Sequence, residues 1–140
     1  WEADQHVVIS FNASWPRGAS SWQRSYPAGI RKLLQHVDRI YGGEVYVTEN
    51  GWSCNSFSAE AAKEDSEQLD YFVQYTEQVR LALVEDSIPV RAYFGWSILD
   101  NFEWADGYSK RFGLYFVDYD TQVRTPKKVT HWWKQTRSTC

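Results

Sequence analysis

Two short apolar, β-prone runs separated by a helix-length stretch constrain the fold of this chain more than anything else in it. Val45-Tyr46-Val47-Thr48 and Val90-Arg91-Ala92-Tyr93-Phe94-Gly95-Trp96-Ser97 each read as a buried strand. Between them Leu69, Phe72, Val73, Thr76, Val79 or Arg80, and Leu83 recur at helical spacing, so a helix is expected from about Ala59 or Asp65 to Glu85. Strands joined through a helix pair in parallel, because only so long a connection returns the chain to the same end of the sheet. Asn50-Gly51 stops the first strand, since both residues tolerate positive φ, and this leaves Glu49 at its C-terminal end. In a parallel α/β architecture catalytic groups collect there, held by the strand while the following loop leaves room for a substrate. An acid before a turn is also, in many chains, merely solvated.

The other elements extend the same alternation. Residues 7–11 read as a short strand, and Asn12 to Arg24 as a loop with aromatic anchors. Pro27 suits the first turn of a helix whose stripe is Ile30, Leu33, Leu34, Val37 and Ile40 or Tyr41, ended by Gly42-Gly43. A polar loop through Cys54, Asn55 and Ser58 is long enough to form part of a binding mouth. Phe112 to Tyr119 alternates as a short peripheral strand, and a last helix near Pro126 turns Val129, Trp132 and Trp133 inward. The order is β, α, β, α, β, α in one continuous piece without repeats or linker. A sheet built on the Val45 and Val90 strands leaves an unpaired edge on each side, the pattern of part of something larger.

Composition narrows the partners. A formal charge of −3 without a Lys/Arg run leaves no electrostatic footprint for nucleic acid or an anionic membrane surface. No apolar stretch approaches the roughly 20 residues that cross a bilayer, and Trp1-Glu2-Ala3-Asp4 carries neither region of a signal peptide. Eight Trp, nine Tyr and seven Phe in 140 residues serve either an aromatic-rich core or a surface on which the apolar faces of sugars stack. Cys54 and Cys140 allow one disulfide but fit no zinc or redox spacing, and Asn12-Ala13-Ser14 matches the N-glycosylation pattern, which weakly favours a secretory setting.

Beyond the second strand stand Gly95-Trp96-Ser97-Ile98-Leu99-Asp100-Asn101-Phe102-Glu103-Trp104 and Gly107-Tyr108-Ser109-Lys110-Arg111-Phe112-Gly113-Leu114. Together with Thr48-Glu49-Asn50-Gly51 they resemble the C-terminal third of a family 1 glycoside hydrolase, the β-glucosidases and lactase-phlorizin-type enzymes, from Ser14-Trp15-Pro16 to the final helix. The resemblance implies an α/β fold, the C-terminal part of a (β/α)₈ TIM barrel from about helix 6 through helix 8, with residues 1–140 as a partial domain that does not close the barrel. Such barrels take about 250 residues or more. It implies that Glu49 is the nucleophile that forms a covalent glycosyl-enzyme on a β-D-glucoside with retention of configuration. Glu103 then accepts hydrogen bonds from the sugar's 4- and 6-hydroxyls, Trp104 donates its indole N–H at the 3 position, Trp96 is the stacking floor, and Phe112 lines the site. No cofactor and no metal are implied.

Read without the family, Glu103 is the tempting second carboxyl, because it follows the next parallel strand and opens onto the same face as Glu49. The resemblance places the acid/base glutamate instead in an Asn-Glu-Pro motif after the fourth strand, and no Asn-Glu-Pro occurs here. The chain alone is therefore expected to be inactive, since a missing general acid costs typically about 10²- to 10⁴-fold. Its expected partners are a sugar substrate and the missing N-terminal part of the barrel. The alternative is a non-catalytic, Klotho-like relative that binds carbohydrate or protein.

Overall fold

Strands β1 (Val45–Asn50) and β2 (Val90–Gly95) pair in parallel as a two-stranded sheet, with Val45 opposite Val90, Val47 opposite Tyr93 and Asn50 opposite Gly95. The computed structural model describes residues 6, 8 and 10–137. Helix α1 (Pro27–Tyr41) precedes β1, with Pro27 in its first turn and Gly42 ending it at a φ of 63° that suits glycine.

The crossover holds two helices where one was expected, α2 (Ala59–Lys63) and α3 (Ser66–Val84). Each has its own N-cap: Ser58 accepts from the Ala61 amide at 3.2 Å and Asp65 from the Gln68 amide at 3.2 Å. Asp65 is extended, with ψ of 103°, so the helical path breaks there and restarts. Helix α1 lies against α3 and is clamped to the turn after it by Arg31, whose Nε and Nη2 each donate to Asp86 at 2.8 Å. Those bonds draw the Asp86 carboxyl down to about 2.

The expected strand at 112–119 is shorter, β3 (Tyr115–Val117), because it pairs antiparallel with a strand the sequence did not suggest, β4 (Arg124–Pro126). Pro126 sits opposite Tyr115 in that hairpin, so the last helix, α4 (Lys128–Arg137), begins beyond it. The run at 7–11 also departs from expectation. Val7 and Ile9 lie outside the described residues, and Val8, Ser10 and Phe11 are exposed and form no strand. A strand needs a ladder partner, and β1 pairs with β2 alone among the described residues.

Much of the aromatic content is core. Tyr71 stacks on Tyr75 and on Trp52, Phe72 meets Trp133 edge-on, and Val129 is fully buried beside them while Trp132 and Trp133 pack against the cluster from α4. Leu34, Val79, Ala82 and Ile88 form a second cluster beneath the sheet strands. The stripe of α1 is only half used: Leu34 is buried, while Leu33 and Ile40 are exposed. Between α1 and the free edge of β1 lies an open groove of about 580 Å³, lined by Leu33, Val37, Val45, Val47 and Glu49 among others. The unpaired edges are thus present as expected, and no helix among the described residues is long and apolar enough to cross a membrane.

Candidate active site

The two strands deliver two loops to one end of the sheet, and backbone contact holds the loops together. Trp96 N donates to Asn50 O at 2.7 Å, extending the ladder past β2. A Cβ added at Gly51 would collide with the Trp96 carbonyl oxygen and stand 2.9 Å from its carbon, so only glycine lets the chain after Glu49 pass this close. Gly51→Ala is expected to cost about 1–3 kcal/mol, the scale of overpacking. Urea unfolding of a closed barrel carrying the change measures it, and an unchanged midpoint would show that this approach is not needed.

Glu49 is the penultimate residue of β1 and its side chain is exposed, while its neighbour Asn50 is fixed by Tyr71 and Tyr93 through hydrogen bonds to its amide. Trp96 is half-buried directly after β2, and the Trp96–Ser97 peptide is cis. The Glu103 carboxyl is raised above its ordinary value, first by partial burial and then by the charges of Asp106 and Glu49, against a hydrogen bond from the Trp96 side chain that lowers it. Glu49 and Trp96 thus both lie close enough to Glu103 to act on its carboxyl.

Trp104 stands beside them on a tight turn. Glu103 N donates to Gly107 O at 2.7 Å and Gly107 N to Trp104 O at 3.1 Å, and Trp104 takes a φ of 40° that a bulky residue rarely adopts. The turn leaves Trp104 82% exposed, its indole turned over to solvent. Phe112 is placed differently from the others: it is 4% exposed and stacks on Trp22 at 6.3 Å, so it backs the wall and the half-exposed Trp22 presents the open ring.

Sequence reasoning missed the groups that hold this loop. Asp100, with a fully buried carboxylate, accepts from Gly113 N at 2.8 Å, Val117 N at 3.2 Å, Arg111 Nη1 at 3.3 Å and Lys127 Nζ at 3.5 Å. Gln68, also fully buried, donates from Nε2 to Trp52 O at 3.2 Å and Phe112 O at 3.0 Å, so the first turn of α3 grips both loops. An Asp inside an apolar-flanked motif was the available signal for the first; Gln68 carried none. Cys54 is buried as a free thiol, pushed well up by burial and by Asp65, and Cys140 lies outside the described residues. Among the described residues no group of three or more His, Cys, Asp or Glu is arranged to hold a metal ion.

A carboxylate at the end of one parallel strand, an indole directly after the next, and a second carboxylate and an exposed indole on the loop that follows are the layout of part of an α/β barrel. The sequence model described as "Glycosyl hydrolase family 1" matches residues 2–139, and the chain belongs to that family. It is 48% identical over 110 residues to Beta-glucosidase 1B of Phanerodontia chrysosporium, covering 76% of this chain and 20% of that protein. It is 44% identical over 136 residues to a 1,4-beta-D-glucan glucohydrolase of Thermotoga neapolitana, covering 95% and 30%. Among solved structures, a GH1 beta-glucosidase from the fungus Humicola insolens in complex with glucose superposes with a TM-score of 0.85 at 41% identity, over 89% of this chain and 27% of that one. The chain thus spans less than a third of the first two proteins' lengths by these matches, and its fold is part of a TIM barrel that it does not close by itself. Glycoside hydrolysis is the chemistry of the full-length family.

Proposed function

We propose that this chain supplies the nucleophile and much of the glucose-binding wall of a retaining β-glucosidase, as the C-terminal third of the catalytic domain. The observation that carries the reading is that adjacent parallel strands bring Glu49 and Trp96 to neighbouring positions, Trp96 N donating to Asn50 O at 2.7 Å, with Glu103 on the following loop close enough for both to act on its carboxyl. A Glu49 carboxylate oxygen attacks the anomeric carbon of a β-D-glucoside and the bond to the leaving oxygen breaks, that oxygen taking a proton from a carboxylic acid supplied by an N-terminal barrel segment. Water then attacks the glycosyl-enzyme, gives its proton to the same carboxylate and releases glucose with its configuration retained. Glu103 receives two sugar hydroxyls, Trp104 donates its indole N–H to a third, and Trp96 lies under the ring. Phe112 backs Trp22 at the edge of this wall.

The two carboxyls of a retaining pair stand about 5–5.5 Å apart, and in this reading the second comes from the N-terminal barrel segment while Glu103 serves as an acceptor for sugar hydroxyls. The chain alone is inactive in this reading, because it brings no proton donor to Glu49. The test is a chimera in which this sequence replaces the matching segment of the Thermotoga neapolitana relative. Incubated with an activated 2-deoxy-2-fluoroglucoside, the chimera gains the mass of one fluoroglucosyl group, located on Glu49 by peptide mapping. A folded chimera with neither adduct nor turnover would leave the non-catalytic, sugar-binding reading in its place.

A further inference from the structure

The segment between Pro16 and Ser25 lies outside the roles assigned above except for Trp22, yet its side chains are buried against both loops: Ser20 is 0% and Gln23 6% exposed. Gln23 Nε2 donates to Gly51 O at 2.6 Å, and Gln23 Oε1 accepts from Ser53 N at 2.8 Å and Ser53 Oγ at 2.6 Å. Ser53 Oγ in turn accepts from Ser20 N at 2.9 Å, and Ser20 Oγ donates to Asp106 Oδ2 at 3.0 Å. Asp106 N donates to Glu103 O at 2.8 Å. An unbroken run of hydrogen bonds therefore leads from the carbonyl two residues after Glu49 to the carbonyl of Glu103.

The chemistry of position 23 is specific. An amide offers a donor to the Gly51 carbonyl and an acceptor to the Ser53 amide at once; a carboxylate would set oxygen against oxygen at Gly51, and an apolar side chain would take the partner from the buried Ser53 amide and from the Gly51 carbonyl. Space is reserved for it as well, since a Cβ at Gly18 would lie 2.5 Å from Gln23 Oε1 and 2.9 Å from Ser53 Oγ. Paired backbone bonds between Cys54 and Arg111 tie the far parts of the two loops. The Gln23 run ties the parts that carry Glu49 and Glu103.

We propose that Gln23 is a positioning residue for glycoside cleavage, fixing the loop after Glu49 relative to the turn that presents Glu103 and Trp104, with Ser53, Ser20 and Asp106 as the further links. This rests on the glycosidase reading above. A sugar held by Glu103 and Trp104 presents its anomeric carbon to Glu49 only if the two loops keep their spacing, and a displacement of about an ångström costs on the order of 10²-fold.

The experiment uses the same chimera with Gln23→Leu and Ser20→Ala, the latter breaking only the link to Asp106. Sites are counted by fluoroglucoside titration, and folding is followed by circular dichroism. Gln23→Leu is expected to lower kcat/KM per titrated site about 10- to 100-fold, mainly through kcat, and to slow adduct formation on Glu49 by the same factor. Ser20→Ala is expected to lower both about 5-fold, the worth of one such bond expressed in the transition state. If Gln23→Leu does not fold, Ser20→Ala carries the test. Variants that melt earlier but match the parent per titrated site in kcat/KM and adduct rate would overturn the positioning role and leave the glycosidase reading standing. A folded parent chimera without adduct would sink that reading, and this proposal with it.

Discussion

Glu49→Ala in the closed barrel is expected to lower kcat for a β-glucoside by on the order of 10⁴- to 10⁶-fold, and added azide is expected to restore turnover with an α-glucosyl azide as product. In the proposed mechanism alanine removes the group that attacks the anomeric carbon but leaves the proton donor on the other segment untouched. A small anion entering the vacated space makes a single displacement, which inverts the β configuration instead of retaining it. Glu103→Gln separates the two carboxyls: it keeps the shape of the sugar-binding group, weakens binding of the hydroxyls, and shows no azide product because Glu49 still blocks that face. Product stereochemistry by NMR decides the matter. Azide rescue at position 103 and not at position 49 would reverse the assignment.

The parts of this site that a linear reading reached are those written into single stretches. Val45 to Asn50 announces both a strand and its end, so Glu49 could be placed from its neighbours alone, and the parallel pairing followed from the length of the crossover. The break at Asp65 was half legible, since Ala59 and Asp65 were both offered as starts and Ser58 and Asp65 are both capping residues, but the stripe from Leu69 onward gave no sign that the two starts belong to separate helices. Strand β4 was not legible: Arg124-Thr125-Pro126 has neither alternation nor apolar content and is a strand only because β3 lies opposite. Gln23 was no more legible, and Asp100 only through its place in an apolar-flanked motif. Neither residue type signals burial, and each is explained by partners that the chain brings from other loops, Gly51 and Ser53 for one, Arg111 and Lys127 for the other. Phe112 was placed by its motif, and what the motif does not encode is that Trp22, from ninety residues earlier, covers its ring.

Asp100→Ala is expected to cost the closed barrel about 3–5 kcal/mol, the scale for removing one partner of a buried ion pair. Among the described residues the Asp100 carboxylate is the one anion paired with both Arg111 and Lys127, whose side chains are 10% and 0% exposed, so its loss strands Lys127, leaves Arg111 with the Val117 carbonyl, and orphans the amides of Gly113 and Val117. That is a large fraction of the roughly 5–15 kcal/mol that holds a typical domain together. Asp100→Asn keeps an acceptor for one amide but still withdraws the charge, so it is expected to fall between the parent and the alanine variant. Adding Lys127→Met to Asp100→Asn removes one stranded cation and recovers part of the loss, a non-additivity that a double-mutant cycle in urea unfolding reads directly. If the two changes instead add, the pair is not coupled and Asp100 acts through its amide bonds alone. The coupling matters for chemistry as well as stability, because Asp100 lies between Trp96 and Glu103 in the chain and anchors the loop from below, at Gly113 and Val117. The turn from Glu103 to Gly107 exposes Trp104 at a strained φ while a buried charge cluster, and not the turn itself, anchors the loop.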